Sequence, residues 1–224
     1  MVRKVWLILF LPLLALKVHA TETKYVALTF DDGPSGVITE SLLDGLYDRG
    51  VHGTFLLCGY RVEQYPELTA RIFSEGHEIG IHGYSHKTMK GMSRREIAGE
   101  IMDTEALLPE GCQPRFLRPP GGCVSDPVIE VAKARGLPIL SWSVDPRDWA
   151  TDDAAAIETA VLEKIRDGDI VLLHDMSESS VKAALAIIDQ LLEEDVEFVT
   201  VSELVRIRGA KLVPGRVYKA FPKE

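Results

Sequence analysis

Cysteine is scarce in this chain: Cys58, Cys112 and Cys123 are all it has in 224 residues. An odd count forbids a framework in which every thiol is paired, so the fold cannot rest on disulfides. A Cys112–Cys123 bridge would close a short loop, and idle or buried thiols are the equal alternative. No low-complexity block and no internal repeat occurs, which sets aside fibrous and solenoid architectures. Positive charge is in deficit, with 25 Lys and Arg against 34 Asp and Glu and a formal net charge of −9. So acidic a chain offers a polyphosphate little to bind, and nucleic acid is excluded as a partner. Nor does the sequence call for an obligate protein partner. The one extended apolar run lies between Val5 and Leu16, shorter than the roughly 18 apolar residues of a spanning helix. Arg3 and Lys4 precede it and Val18-His19-Ala20 follows it, the pattern of a secretory signal peptide over residues 1–20. The expected location is therefore secreted or associated with the cell envelope. Because Lys17 and His19 make an imperfect cleavage region, an uncleaved membrane anchor is the alternative.

What is present is enough to build a core. The chain is 46% hydrophobic, and residues 21–208 read as one domain followed by an irregular tail over 209–224, packed against it or trailing from it. Short apolar, β-branched runs predict strands at 25–30, 54–58, 78–82, 115–118, 138–143, 169–174 and 197–201. Stretches of helical period predict helices at 38–49, 66–75, 94–108, 126–134, 153–166 and 181–193. Ser93 stands three residues before Glu96 in a capping-box pattern, and glycines follow several helix ends. Strand–helix alternation of this kind implies an α/β fold with a parallel sheet and helices outside. It is either an open doubly wound sheet or a distorted seven-stranded barrel.

In parallel α/β folds, functional groups gather at the carboxyl ends of the strands. There the sequence places Thr29-Phe30-Asp31-Asp32-Gly33-Pro34, His82-Gly83-Tyr84-Ser85-His86, Arg118-Pro119-Pro120-Gly121-Gly122, Asp145-Pro146-Arg147-Asp148-Trp149 and Leu172-Leu173-His174-Asp175. Each segment has an ordinary reading alone: a turn, a pair of surface histidines, a stiff loop, a polar turn, a satisfied core histidine. Structural needs would not gather all five on one rim.

Together, in this order, the five segments resemble the motifs of the polysaccharide deacetylases with a NodB-homology domain, carbohydrate esterase family four. The resemblance spans about residues 24–206 and implies the distorted seven-stranded (β/α) barrel as a single catalytic domain. It implies a metal site of Asp32, His82 and His86, a donor set suited to zinc, with cobalt or nickel also compatible. It makes Asp31 the general base, paired with Arg118, and His174 the general acid, held by Asp148, with Asp145 the runner-up for that role. The backbone N–H of Gly121 would face the oxyanion, while Leu172 and Trp149 would line the acetyl pocket and one groove wall. Trp142 reads as core packing. The implied activity is removal of N-acetyl groups from N-acetylglucosamine units of peptidoglycan or a chitin-like polysaccharide. An O-acetyl esterase on xylan is the alternative, and a carbohydrate-binding pseudoenzyme the more remote one. The family pattern has Ser or Thr where Gly83 stands and Tyr where Gly121 stands, departures that bear on loop bracing and substrate range.

Overall fold

The structure, a computed structural model, describes residues 23–223; the leader read over residues 1–20 lies outside them. Strand β1 (Lys24–Asp31) is the axis of the fold, and all but its first two residues are buried. It leads through helix α1 (Val37–Asp48) to β2 (Thr54–Leu57), α2 (Gly59–Gln64), α3 (Pro66–Ser74) and β3 (Glu78–Ile81). Helices α4 (Arg94–Glu105) and α5 (Asp126–Ala134) precede β4 (Ile139–Leu140) and α6 (Ala154–Leu162). The remainder is β5 (Ile170–His174), α7 (Glu178–Glu193), β6 (Val196–Phe198), α8 (Val201–Ile207) and β7 (Val217–Tyr218).

All the paired strands run parallel, in the order β3-β2-β1-β5, with β6 on the first residues of β1 and β4 beside β7. Single bridges carry the pairing onward, from Ile81 to Leu117, from Leu117 to Ile139, and from Val144 to Val171. The regular ladder is thus open, and irregular backbone continues it. Leu28 and Phe30 pack outward with Phe55, Leu46 and Ile187, whereas Ala27 packs inward with Leu56, Phe116, Leu140 and Ile170. That alternation is the two-faced burial of a parallel strand covered by helices. It also sends Thr29 and Asp31 to the same side as Ala27, which is how a carboxylate reaches the interior at the strand's carboxyl end.

Several expectations change in detail. Segment 115–118 is no regular strand: its backbone hydrogen-bonds to β3 on one side and to Pro138 and β4 on the other, but its bridges fall at Leu117, between Pro114 and Pro119. The last predicted strand ends at Phe198, and Val201 already belongs to α8. The tail is tied down, because β7 pairs with β4, Ala220 bridges Asp169 and Phe221 is buried. All three cysteines are free thiols, so the optional Cys112–Cys123 bridge does not form. Among the described residues, no helix is long and apolar enough to cross a membrane.

Candidate active site

At the carboxyl ends of β1, β3 and β5 a cleft of about 400 Å³ opens, lined by Asp31, Asp32, His82, His86, Gly121, Gly122, Trp142, Asp145, Trp149, Leu172 and His174. A second cavity, of about 360 Å³, opens at the other end of β1 beside Lys24 and Val196 and holds no imidazole. A third, of about 410 Å³, is lined by His52, Glu75 and His77, but among the described residues only Asp32, His82 and His86 bring three metal-ligating side chains within reach of one ion.

Asp32 follows β1 in a left-handed conformation, φ 77°, and the Asp31 Oδ2 atom lies 3.7 Å from His82 Nε2. Asp32 Oδ1 lies 3.3 Å from His82 Nε2 and 3.0 Å from His86 Nε2. His82 is buried, and its Nδ1 donates to the Arg118 carbonyl at 2.7 Å, which leaves the Nε2 lone pair facing Asp32 in the neutral ring. The Asp32 Oδ1 atom is buried without a well-directed hydrogen bond. Three atoms bearing lone pairs this close repel one another unless a proton or a cation lies among them. Burial alone would raise the Asp32 carboxyl, but the two imidazoles outweigh it and hold the group well below the usual carboxylate range. The His86 imidazole is raised, chiefly by its bond to Asp32. One oxygen and two imidazole nitrogens, mutually within 4.8 Å, suit a divalent transition metal.

Next to this trio, Arg118 is completely buried and commits its guanidinium inward. Its Nη1 donates to Asp31 Oδ1 at 2.5 Å and Thr29 Oγ1 at 2.8 Å, and its Nη2 to the Ser141 carbonyl at 3.0 Å. A buried Arg–carboxylate pair of this kind fixes the Asp31 carboxylate in place. On β5, His174 Nδ1 meets Asp148 Oδ1 at 2.7 Å, and the His174 backbone N–H donates to Asp148 Oδ2 at 2.8 Å. Burial pulls the His174 imidazole down, but the Asp148 bond and charge, with Asp31 and Asp32 behind them, raise it to about 9. Asp145, the runner-up, lines the cleft and accepts instead from the Arg147 N–H.

Gly121 sits on the cleft in a left-handed turn, φ 64°. Leu172 forms floor, and Trp149 stands 61% exposed at the mouth with the Arg147 guanidinium over its ring. Trp142 packs on the inner core as expected and also lines the cleft, where a Cβ at Gly122 would meet its ring. Asp175 follows His174 at the end of β5. It is fully buried, accepts from Thr39 Oγ1 and lies against Gly33, where any Cβ would run into its carboxylate. Burial raises it to about 7.

A parallel α/β fold that collects an Asp–His–His trio, a buried Asp–Arg pair and an Asp–His pair in one cleft defines a hydrolytic class of protein. The chain belongs to the polysaccharide deacetylase family, whose sequence profile matches residues 19–140. It is 39% identical to a Bacillus cereus peptidoglycan-N-acetylglucosamine deacetylase over 83% of this chain and 90% of the relative. It is 37% identical to a Listeria monocytogenes peptidoglycan-N-acetylglucosamine deacetylase, matching 89% of this chain but only 42% of that longer protein. The structure of a family 4 acetyl xylan esterase from Clostridium thermocellum, in complex with a cobalt ion, superposes with a TM-score of 0.82. It is 36% identical and covers 89% of this chain and all of that one.

Proposed function

We propose that this protein is a secreted or envelope-associated, metal-dependent hydrolase that removes N-acetyl groups from N-acetylglucosamine units of a polysaccharide. Peptidoglycan is the first candidate, supported by the B. cereus relative, and chitin-like chains the second. The observation that carries the reading is the meeting of Asp32, His82 and His86 in the same cleft as two further charged pairs. A divalent cation held there, zinc by donor type with cobalt or nickel compatible, would polarise the acetamide carbonyl and acidify a water.

The chain's own groups divide the remaining work. Arg118 engages Asp31 Oδ1, so Oδ2 is the atom left to take a proton from the attacking water. Gly121 would offer its backbone N–H to charge developing on the carbonyl oxygen. An amide anion is a very poor leaving group, so the departing amine must receive a proton. His174 supplies it through Nε2, because Asp148 already occupies Nδ1. Leu172 and Trp149 would enclose the acetyl methyl and one face of the sugar.

Acetate release from N-acetylated glycans should fall to background in Asp32→Ala and in His174→Ala. Metal-loaded wild type that releases no acetate from peptidoglycan or chito-oligosaccharides would remove the proposal. A second reading, O-acetyl esterase activity, is supported by the likeness to the acetyl xylan esterase. Esters have better leaving groups, so His174→Ala should spare ester hydrolysis far more than amide hydrolysis.

A further inference from the structure

Between the two imidazoles of the trio runs a short loop, and one side chain outside the cleft holds it. Glu100, on α4, accepts the Tyr84 N–H and the Ser85 N–H through Oε2 and the Ser85 hydroxyl through Oε1, each at 2.7 Å. Its helix is a firm support. Ser93 and Glu96 cap it reciprocally, and Ile97, Ile101 and Thr104 on either side of Glu100 are fully buried. The two imidazoles depend on this loop unequally. His82 is oriented by the Arg118 carbonyl, whereas among the described residues the His86 imidazole is bonded to nothing but Asp32. His86 also adopts a left-handed backbone, φ 57°, which a residue with a side chain keeps only where its surroundings enforce it. Gly83 makes the room: its φ is +81°, and a Cβ there would sit 3.2 Å from Glu100 Oε2.

The structure assigns Glu100 as the positioning residue that sets His86 for metal binding, clamping the His82–His86 loop from the helix side where residue 83 has no side chain to brace it. This rests on the metal-site reading above. Glu100 touches neither the cation site nor substrate. Its effect must therefore show in metal affinity before it shows in chemistry.

The experiment is a zinc titration of metal-stripped wild type, Glu100→Met, Glu100→Ala and Ser85→Ala against a chromogenic chelator, with circular dichroism of each apo protein. Glu100→Met keeps the length and most of the volume but accepts none of the three bonds. Both Glu100 variants should bind zinc about 10- to 100-fold more weakly, the usual consequence of losing a group that orients a metal-binding histidine. Ser85→Ala, which keeps both backbone bonds, should lose less, and saturating zinc should restore most of the acetate release. Glu100 variants that fold and bind zinc as tightly as wild type would overturn the assignment, and so would lost activity that excess zinc does not restore. Should Glu100→Ala not fold, Glu100→Met, close to Glu in size, decides. Wild type that takes up no zinc would strike at the metal reading itself, an outcome distinct from unchanged affinity in the variants.

Discussion

His174 and Asp148 make the sharpest residue-level prediction, because one contact sets both orientation and charge. The imidazole is raised from 6.5 to about 9, so the folded chain favours the protonated ring. Its contribution to stability is full below about 6.5 and drains away as the pH climbs through about 9. In Asp148→Asn the carboxylate that opposes burial is gone, and the His174 titration followed by NMR in metal-free protein should fall to the ordinary imidazole range or below. An unchanged titration would contradict the pairing. A nearby dication repels the imidazolium, so metal-loaded wild type should titrate lower than the metal-free form. Asp31 and Arg118 pose the opposite situation, a buried pair whose halves support each other. Arg118→Met should leave the Asp31 carboxylate buried without its cation, and it should cost far more in activity and folding than a surface Arg→Met.

At the scale of elements, the loops leaving the strands hold the ligands, and the strands only aim them. Gly33→Ala would drive a Cβ into the Asp175 carboxylate directly behind Asp32, so we expect loss of zinc binding and a lowered melting temperature in that variant. Ser93→Ala removes one half of the α4 capping box but leaves the buried Ile97, Ile101 and Thr104 that seat the helix; it should cost about 1 kcal/mol in denaturant unfolding and leave zinc affinity nearly intact. The ligand loops were legible in the sequence because metal-binding and acid–base chemistry demands particular residue types at particular spacings. The long helices were legible because their apolar period repeats over several turns. Two short helices were not. Helix α2 spans six residues, too few for a period to declare itself, and Gly59 at its start argues against a helix. Helix α8 carried its own signal, Thr200 three before Glu203, but the β-branched Val199-Thr200-Val201 run read as strand. Trp142 and Glu100 were missed for a different reason. Their roles depend on which face of the fold meets the cleft or the ligand loop, and that is fixed by packing among segments distant in sequence.

Over the whole molecule, a cation at the trio would link the end of β1 to the loop after β3, elements that come together only in the folded chain. A ligand that binds only the folded state stabilises it by mass action. Free zinc at a hundred times its dissociation constant should add about 2.7 kcal/mol. For a chain of this size that is several degrees in melting temperature, which calorimetry of stripped and zinc-loaded protein would read, and Asp32→Ala should show no such rise. The acidic balance of the chain, −9 overall, bears on partners and solubility and leaves the reaction to the cleft.

The most direct test of the central claim is acetate release from N-acetylated glycan by metal-stripped protein as zinc is added back stepwise. The account predicts negligible release at the start, a rise that levels off at one zinc per chain, and no rise in Asp32→Ala. Full release by the stripped protein, or one bound zinc per chain with no acetate formed, would contradict it.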